Sequence, residues 1–554
     1  MNPRNLVLLI IVLMAITSEE SVLARATPKK FEAVLKGVYP SDGPGATVIV
    51  TRKGKTLFRR AYGKANIELG VPMEPGSVLR LGSITKQFTA SAVMALVEQG
   101  KLSLTDEITK YLPGYPVHGH VITIEHLLNH TSGIHSYTSI PGYMGNPVRS
   151  DLTTGELVDV FKELPMDFAP GDQFRYNNSG FVLLGAIIEK VSGISYDDFI
   201  RSIIFEPLGM KDSHYGGTQL IVNRASGYQG ADGIYENAGH VSMTQPHGAG
   251  SLLSTVDDLL RWDSALYTNE IISQESLDRM TTRARLNSGE EIDYGYGFGI
   301  GTLRDRRMVS HGGGIHGFSS FALRLPDQQI YVAVLTNIPG LQPSPQTIAY
   351  KLAAIALDDP FPDWKRVEVP ESTLSQYVGV YQTDDDIQRT VTTEEGKLYT
   401  RRAGGMTLVA LPASSTRFYY ENSLTWFELE LDDSGQAIAI LIHANGASKA
   451  ERALRVASEV PTRRISEVDP TIYDDYVGVY QLRPGFKITV VRDADRILAQ
   501  ATGQPQFEIF PESEINFFLK VVDAQITFVR GTNGNVEELV LHQSGQDMSA
   551  PKIQ

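Results

Sequence analysis

Ser83-Ile84-Thr85-Lys86 sets a hydroxyl and an amine three residues apart. On a helix that spacing puts both groups on one face, so Lys86 can take the Ser83 proton if burial or a neighbouring positive charge keeps the amine neutral. The free N–H groups and positive dipole end of a helix N-terminus favour an alkoxide there and an oxyanion beside it. Alone, Ser-x-x-Lys has a plainer reading, a capping serine followed by a solvated lysine. Two other stretches weigh against that reading. Arg175-Tyr176-Asn177-Asn178 reads as a polar turn ahead of a helix at Gly180. From such a turn Tyr176 can shuttle a proton between nucleophile and leaving group, and Asn178 can bind a substrate carbonyl. Ser310-His311-Gly312-Gly313-Gly314 reads as a run preceding a strand, its glycines admitting another backbone at close range.

These residues need a scaffold, and the periodicity predicts one. Ala46 to Arg52 and Thr56 to Tyr62 form two β-rich runs joined by a Lys53-Gly54 turn. Ser83 to Gln99 is a strong helix: Ile84, Phe88, Ala92 and Ala95 follow its spacing and Gly100 stops it. Further helices are expected at 124–129, 154–163, 180–191 and 196–203. A β-rich block starts near Met308 and continues through Ser319 to Leu325, a Pro326-Asp327 turn and Ile330 to Thr336, with Ile348 to Leu357 helical again. Strands at both ends of a helical middle predict one sheet closed by distant segments, with an inserted helical lobe.

Ser83-x-x-Lys86, Tyr176-x-Asn178 and His311-x-Gly313, in this order and approximate spacing, resemble the serine β-lactamase and penicillin-binding-protein superfamily, in its class C-like branch. The Ile122-to-Ile134 stretch, with Glu125-His126-Leu127-Leu128-Asn129-His130-Thr131-Ser132-Gly133 at its centre, and Tyr294-Gly295-Tyr296-Gly297-Phe298-Gly299 are similar too. The resemblance covers roughly residues 30–357. It implies an α+β fold, an antiparallel sheet flanked by helices with an all-helical lobe. It implies Ser83 as acylated nucleophile, Lys86, Tyr176 and His311 in the catalytic set, and Asn178 and Gly313 in substrate binding. The backbone N–H groups of Ser83 and Gly314 are the implied oxyanion hole, and no metal or cofactor is needed. One position departs from the pattern. Where β-lactamases and carboxypeptidases of the superfamily carry Lys-Thr-Gly, this chain has His311, which is mostly neutral at pH 7 and supplies much less charge for a substrate carboxylate. The His-x-Gly form resembles D-aminopeptidases, D-amino-acid amidases and family VIII-type esterases. D-aminopeptidases and the serine peptidases of microcystin breakdown also share its layout of two small C-terminal barrels. The implied substrates are short peptides with D residues or short acyl esters.

Composition narrows the alternatives. The chain has 554 residues, a formal net charge of −14 and no cysteine, which removes disulfides, thiolate nucleophiles and Cys-based metal sites. The acidic excess, without a block of like charges, argues against nucleic acid or an anionic membrane as partner. A small substrate and a possible homo-oligomer remain. His126 and His130 have a helical spacing that zinc can use, but lack the Glu of a His-Glu-x-x-His site, so a packed, hydrogen-bonded pair is the expectation. The lipase-like reading of His311-Gly312-Gly313-Gly314 fails for want of a Gly-x-Ser-x-Gly elbow. Arg224, Arg304 and Arg306 receive no role.

The ends of the chain give the domain plan. Arg4, the 11-residue apolar run Leu6 to Ile16 and Ala24-Arg25-Ala26 read as an export signal over 1–26. The run is too short to span a membrane, and no later stretch is apolar enough. A periplasmic or secreted protein without an integral membrane segment is expected. The catalytic domain is placed at 27–360, and the Asp/Pro-rich stretch 358–370 marks its end. Tyr377-Val378-Gly379-Val380-Tyr381-Gln382 then recurs at Tyr476-Val477-Gly478-Val479-Tyr480-Gln481, and Gly446 recurs at Gly545 at the same offset. Two homologous units, 368–465 and 470–554, are read as small antiparallel β-barrels of lipocalin-like form.

Overall fold

In the computed structural model the described residues are 28–554, except 232, 461–463, 484–485, 503 and 544–545. The export signal and Gly545 lie outside them. Two compact units divide between Phe361 and Pro362.

The first unit is built on a six-stranded antiparallel sheet. Its strands are β1 (Ala46–Arg52), β2 (Lys55–Tyr62), β3 (Gly299–Leu303), β4 (Arg306–Ile315), β5 (Phe318–Leu325) and β6 (Ile330–Thr336), in the order β3-β4-β5-β6-β1-β2. Ala46 of β1 pairs with Tyr62 of β2 on one side and Thr336 of β6 on the other, so segments almost 300 residues apart complete one sheet. All seven residues of β6 are buried, as a central strand covered on both faces requires. Helix α1 (Thr85–Glu98) follows a 3-10 turn at Gly82–Ile84 and is buried along its whole length from Thr85 to Leu96. A helix buried on every face belongs in the centre of a unit. Helix α2 (Ile124–Leu128), helix α3 (Asn178–Ser192) and the short helix His247–Gly250 pack near it, and α4 (Pro345–Ala356) lies on the sheet. Among the described residues no single helix is long and apolar enough to cross a membrane.

The structure moves four boundaries. The glycine run 312–314 lies inside β4 rather than before a strand, because its backbone pairs with β5 through Gly313↔Ser320 and Gly314↔Ser319. Asn178 is the first residue of α3 and not part of a turn ahead of it. Asn177 caps that helix, its side-chain oxygen accepting from Gly180 N–H at 2.7 Å. The helix at 154 ends at Asp159, and that at 196 passes at Arg201 into a π turn.

The second unit holds two eight-stranded antiparallel sheets. The first is a closed barrel from Gly379–Gln382 to Glu451–Ala457, sealed by Val380↔Ala457. The other runs from Gly478–Arg483 to Gln546–Pro551, and its ends meet through a Tyr480↔Lys552 bridge. The repeat extends to individual hydrogen bonds. Tyr377 and Tyr476 donate to the carbonyls of Ser415 (2.9 Å) and Glu514 (2.5 Å), and Tyr381 and Tyr480 donate to the carbonyls of Tyr377 (2.7 Å) and Tyr476 (2.8 Å).

Candidate active site

The Ser83 end of α1 meets an unpaired stretch of β4. Pairing of β3 with β4 stops at Gly299↔Ser310, which leaves His311–Ile315 without a strand on that side. The Gly82–Ile84 turn occupies the gap. A Cβ on Gly313 would lie 1.9 Å from the Leu81 carbonyl oxygen, and one on Gly82, whose φ is +54°, would lie 2.9 Å from the Gly314 nitrogen. Only glycine permits that approach. It brings the N–H groups of Ser83 and Gly314 to one corner, where they can receive a developing oxyanion. Gly313→Ala is expected to push the strand off the turn, with a loss of turnover of a hundredfold or so and a fall in Tm of several degrees. Activity assays and a thermal melt check both.

Lys86 is fully buried, and its Nζ lies 3.2 Å from Ser83 Oγ, 2.8 Å from Asn178 Oδ1 and 2.8 Å from the Ala249 carbonyl oxygen. No carboxylate is among these partners. Burial holds its pKa well below the ordinary 10.5. A neutral amine has two N–H donors and one lone pair. Asn178 Oδ1 and Ala249 O can only accept, so they use both donors, and the lone pair is left for the Ser83 hydroxyl proton. The contacts around Lys86 therefore leave it able to take the Ser83 proton.

Tyr176 closes the other side. Lys86 Nζ is 4.7 Å from its ring centre. The residue is 38% exposed, but its hydroxyl end is shielded: burial raises the phenol pKa, and a hydrogen bond with Ser83 opposes the rise. The phenol is therefore protonated at rest, a donor rather than a base. His130 brackets it. Its carbonyl accepts the N–H of Arg175 at 3.0 Å and its Nδ1 accepts the N–H of Asn177 at 3.1 Å, the residues on either side of Tyr176. Its ring lies 4.4 Å from the Tyr176 ring, and its φ is +62°.

Asn178 donates to Thr138 Oγ1 at 3.0 Å while accepting from Lys86. One amide proton is left for a substrate carbonyl. His311 has both ring nitrogens engaged. Nδ1 donates to the Gly312 carbonyl at 2.6 Å and Nε2 accepts from the Tyr294 hydroxyl at 2.9 Å. Burial, reinforced by Lys86, draws its pKa down to about 4. The ring is therefore neutral at pH 7, bonded on one side to its own strand and on the other to Tyr294.

The sequence residues Ser83, Lys86, Tyr176, Asn178, His311, Gly313 and Gly314 thus converge. Arg304 does not join them and pairs with Asp359. His126 and His130 do not pair with each other. His126 forms a capping box with Thr123, while His130 bonds the Tyr176 segment. The Ala249 carbonyl and the Tyr294 hydroxyl were not anticipated in these roles. Tyr294 belongs to an aromatic stretch that hinted at it, whereas a backbone acceptor 163 residues from Lys86 leaves no mark in side-chain pattern.

The buried histidines carry a pH signature. Burial depresses the pKa of His311 and His247 to about 4 each. Unfolding releases both to about 6.5, so between pH 6.5 and 4 the unfolded chain binds more protons and stability falls on acidification. Stability from these groups is complete above pH 6.5. His247→Phe is expected to flatten the dependence of Tm on pH across that window, and melts at several pH values read it.

Comparison with known proteins gives the family. The β-lactamase family model matches residues 37–357, and the model of a domain of unknown function (DUF3471) matches 462–552. Penicillin-binding protein 4* of Bacillus subtilis is 32% identical over 433 residues, 73% of this chain and 94% of that protein. D-aminopeptidase of Gluconobacter oxydans is 26% identical, covering 61% of this chain and 63% of its own length. Among solved structures, the octameric penicillin-binding protein homologue of Pyrococcus abyssi has a TM-score of 0.52 at 28% identity over 75% of this chain and 95% of that one. D-amino acid amidase of Ochrobactrum anthropi has a TM-score of 0.52 at 25% identity over 60% and 98%. The family model spans every residue of this site, and the chain belongs to the β-lactamase family and is a serine hydrolase by class.

Proposed function

We propose that this protein is an exported serine hydrolase that cleaves amide bonds of short peptides containing D-amino acids, through an acyl-enzyme on Ser83. The observation that carries the reading is the set of partners around Lys86, which leaves a lone pair only for the Ser83 proton. In acylation that proton passes to Lys86 Nζ as Oγ bonds to the carbonyl carbon, and the oxyanion rests on the N–H groups of Ser83 and Gly314. The C–N bond then breaks, the leaving amine takes its proton from Lys86 by way of the Tyr176 hydroxyl, and the phenol is restored. Water repeats the sequence on the acyl ester and returns the proton to Ser83.

An amide leaving group departs only when protonated, and the protonated Tyr176 beside Lys86 supplies that proton. The activities named for the Gluconobacter D-aminopeptidase and the Ochrobactrum amidase support amides and D residues. Neutral His311 weighs against substrates held by a fixed charge at that position, such as β-lactams or a terminal D-Ala carboxylate. The basic start, apolar run and small-residue site over 1–26 support export. The octamer of the Pyrococcus homologue supports a homo-oligomer here, which light scattering of the full chain reads.

Hydrolysis of a matched D-alanine amide and ester, with Ser83→Ala as blank, tests the reading. Appreciable amide turnover is expected. Ester cleavage alone would make the protein a carboxylesterase of the same family, and silence on both would leave a binding protein.

A further inference from the structure

Beyond Gly314 the site borders two arginines, Arg80 and Arg224, that have no carboxylate within ion-pair distance among the described residues. Arg80 lies three residues before Ser83, in a short strand paired with Leu253. Its guanidinium is 5.5 Å from the Phe318 ring centre, and Phe318 opens β5 just past the turn that follows Gly314. Backbone pairing brings Arg224 to the same place. Val78 bridges Arg224, its N–H donating to the Asn223 carbonyl and its carbonyl accepting from Ala225, each at 3.0 Å. Farther along this segment a Cβ on Gly227 would lie 2.6 Å from the Phe318 ring, so the Arg224 segment packs directly on the turn. His316, in that turn, bonds the Met144 backbone and lies within electrostatic reach of Arg80 and His240.

Most arginines of this unit have a carboxylate within ion-pair distance. Arg80 and Arg224 have none among the described residues. Arg80 is half-buried and Arg224 exposed. Burial, and after it Arg224, draws the Arg80 pKa down to about 10. Two arginines brought close by the Val78–Arg224 bridge, within electrostatic reach of each other and with no carboxylate at ion-pair distance among the described residues, in a chain of net charge −14, form an arrangement that an anion would complete. The planar fork of arginine matches a carboxylate in geometry. Arg80 shares a short strand-and-turn segment with Ser83, and the Gly82–Gly314 contact lies between the cations and the nucleophile.

We infer that Arg80 and Arg224 form a subsite for a carboxylate of the substrate, beside the oxyanion corner and apart from the His311 position. The inference rests on the peptide-hydrolase reading and narrows it to acidic peptides, those with a free C-terminal carboxylate or an acidic side chain within reach of the cleft.

The test uses the full chain and short D-alanyl peptides in matched pairs that differ only by carboxylate against carboxamide, at the C-terminus or as Glu against Gln. The carboxylate member is expected to have a kcat/KM about tenfold higher, from one charge-assisted pairing. The ratio should shrink in about 1 M salt, where screening acts within about 3 Å, and should collapse toward one in Arg224→Gln. A ratio near one in the natural chain for every pair, or an undiminished ratio in Arg224→Gln, would overturn the inference. Should neither member of any pair be hydrolysed, the peptide-hydrolase reading fails. Calorimetric titration of the same pairs into the Ser83→Ala chain then decides the subsite: tighter binding of the carboxylate member upholds it and equal binding ends it.

Discussion

Ser83→Ala is expected to abolish turnover and covalent labelling by serine-directed reagents while leaving Tm within a degree or two. Both halves follow from the site. The Ser83 side chain contributes its hydroxyl to Lys86 and Tyr176, but the turn that carries it is held by glycine-mediated backbone contacts with β4 that do not involve that side chain. Removing the nucleophile of an acyl-enzyme route costs all of the covalent chemistry, on the order of a million-fold where such serines have been removed from other hydrolases. The fold loses only the two contacts of one partly buried hydroxyl. Hydrolysis of a D-alanine amide, fluorophosphonate labelling and a thermal melt, run on one preparation, read both. Retained turnover would remove Ser83 from the mechanism, and a collapse in Tm would make the lost activity uninformative.

Lys86→Met is expected to lower kcat/KM by about a thousandfold or more, the range of a lost general base, and to erase the acidic limb of the pH profile. The physical argument is the depressed pKa. In the natural chain activity rises with pH as the amine loses its proton, and burial places that step well below 10.5. Methionine fills similar volume without a titrating group. Its cost in stability is divided: the Asn178 oxygen and the Ala249 carbonyl lose their donor, while a polar group is taken out of a buried site. A modest Tm change of either sign is therefore expected beside the large kinetic loss. A residual activity that kept the same acidic limb would assign the titration to another group.

The elements of the catalytic unit were legible where a single period dominates. The hairpin Ala46–Arg52 with Lys55–Tyr62, the nucleophile helix and the β5–β6 hairpin each carry their own turn or stop signal, so local chemistry suffices. The helices at Val256–Ala265 and Gln274–Met280 and the edge strand Gly299–Leu303 went unread, although Thr255 and Ser273 cap the two helices and were signals a sequence reading could have used. The glycine run marks a limit of such signals. Three consecutive glycines argue against a strand by propensity, yet pairing with β5 and close approach of the Gly82–Ile84 turn put them in one.

The site was legible to the extent that its groups are side chains in a recognisable order. Ser83, Lys86, Tyr176 and Asn178 were found that way. The groups that tune them are backbone or distant: the Ala249 carbonyl that orients Lys86, the His130 carbonyl that fixes Arg175, and the Gly312 carbonyl that holds His311 in one tautomer. Position in three dimensions assigns those tasks. The neutral state that the residue type of His311 suggests at pH 7 is deepened by burial, which no sequence pattern displays.

The central claim is an acyl-enzyme on Ser83 formed from an amide, and the most direct measurement is the mass of the chain during turnover. The full chain is mixed with a D-alanine anilide, quenched in acid within the first turnovers, digested and mapped. One adduct of acyl mass is expected on the peptide containing Ser83, with a burst of released aniline matching its amount. Steady hydrolysis with no adduct at Ser83, or with the adduct on another residue, would contradict the account.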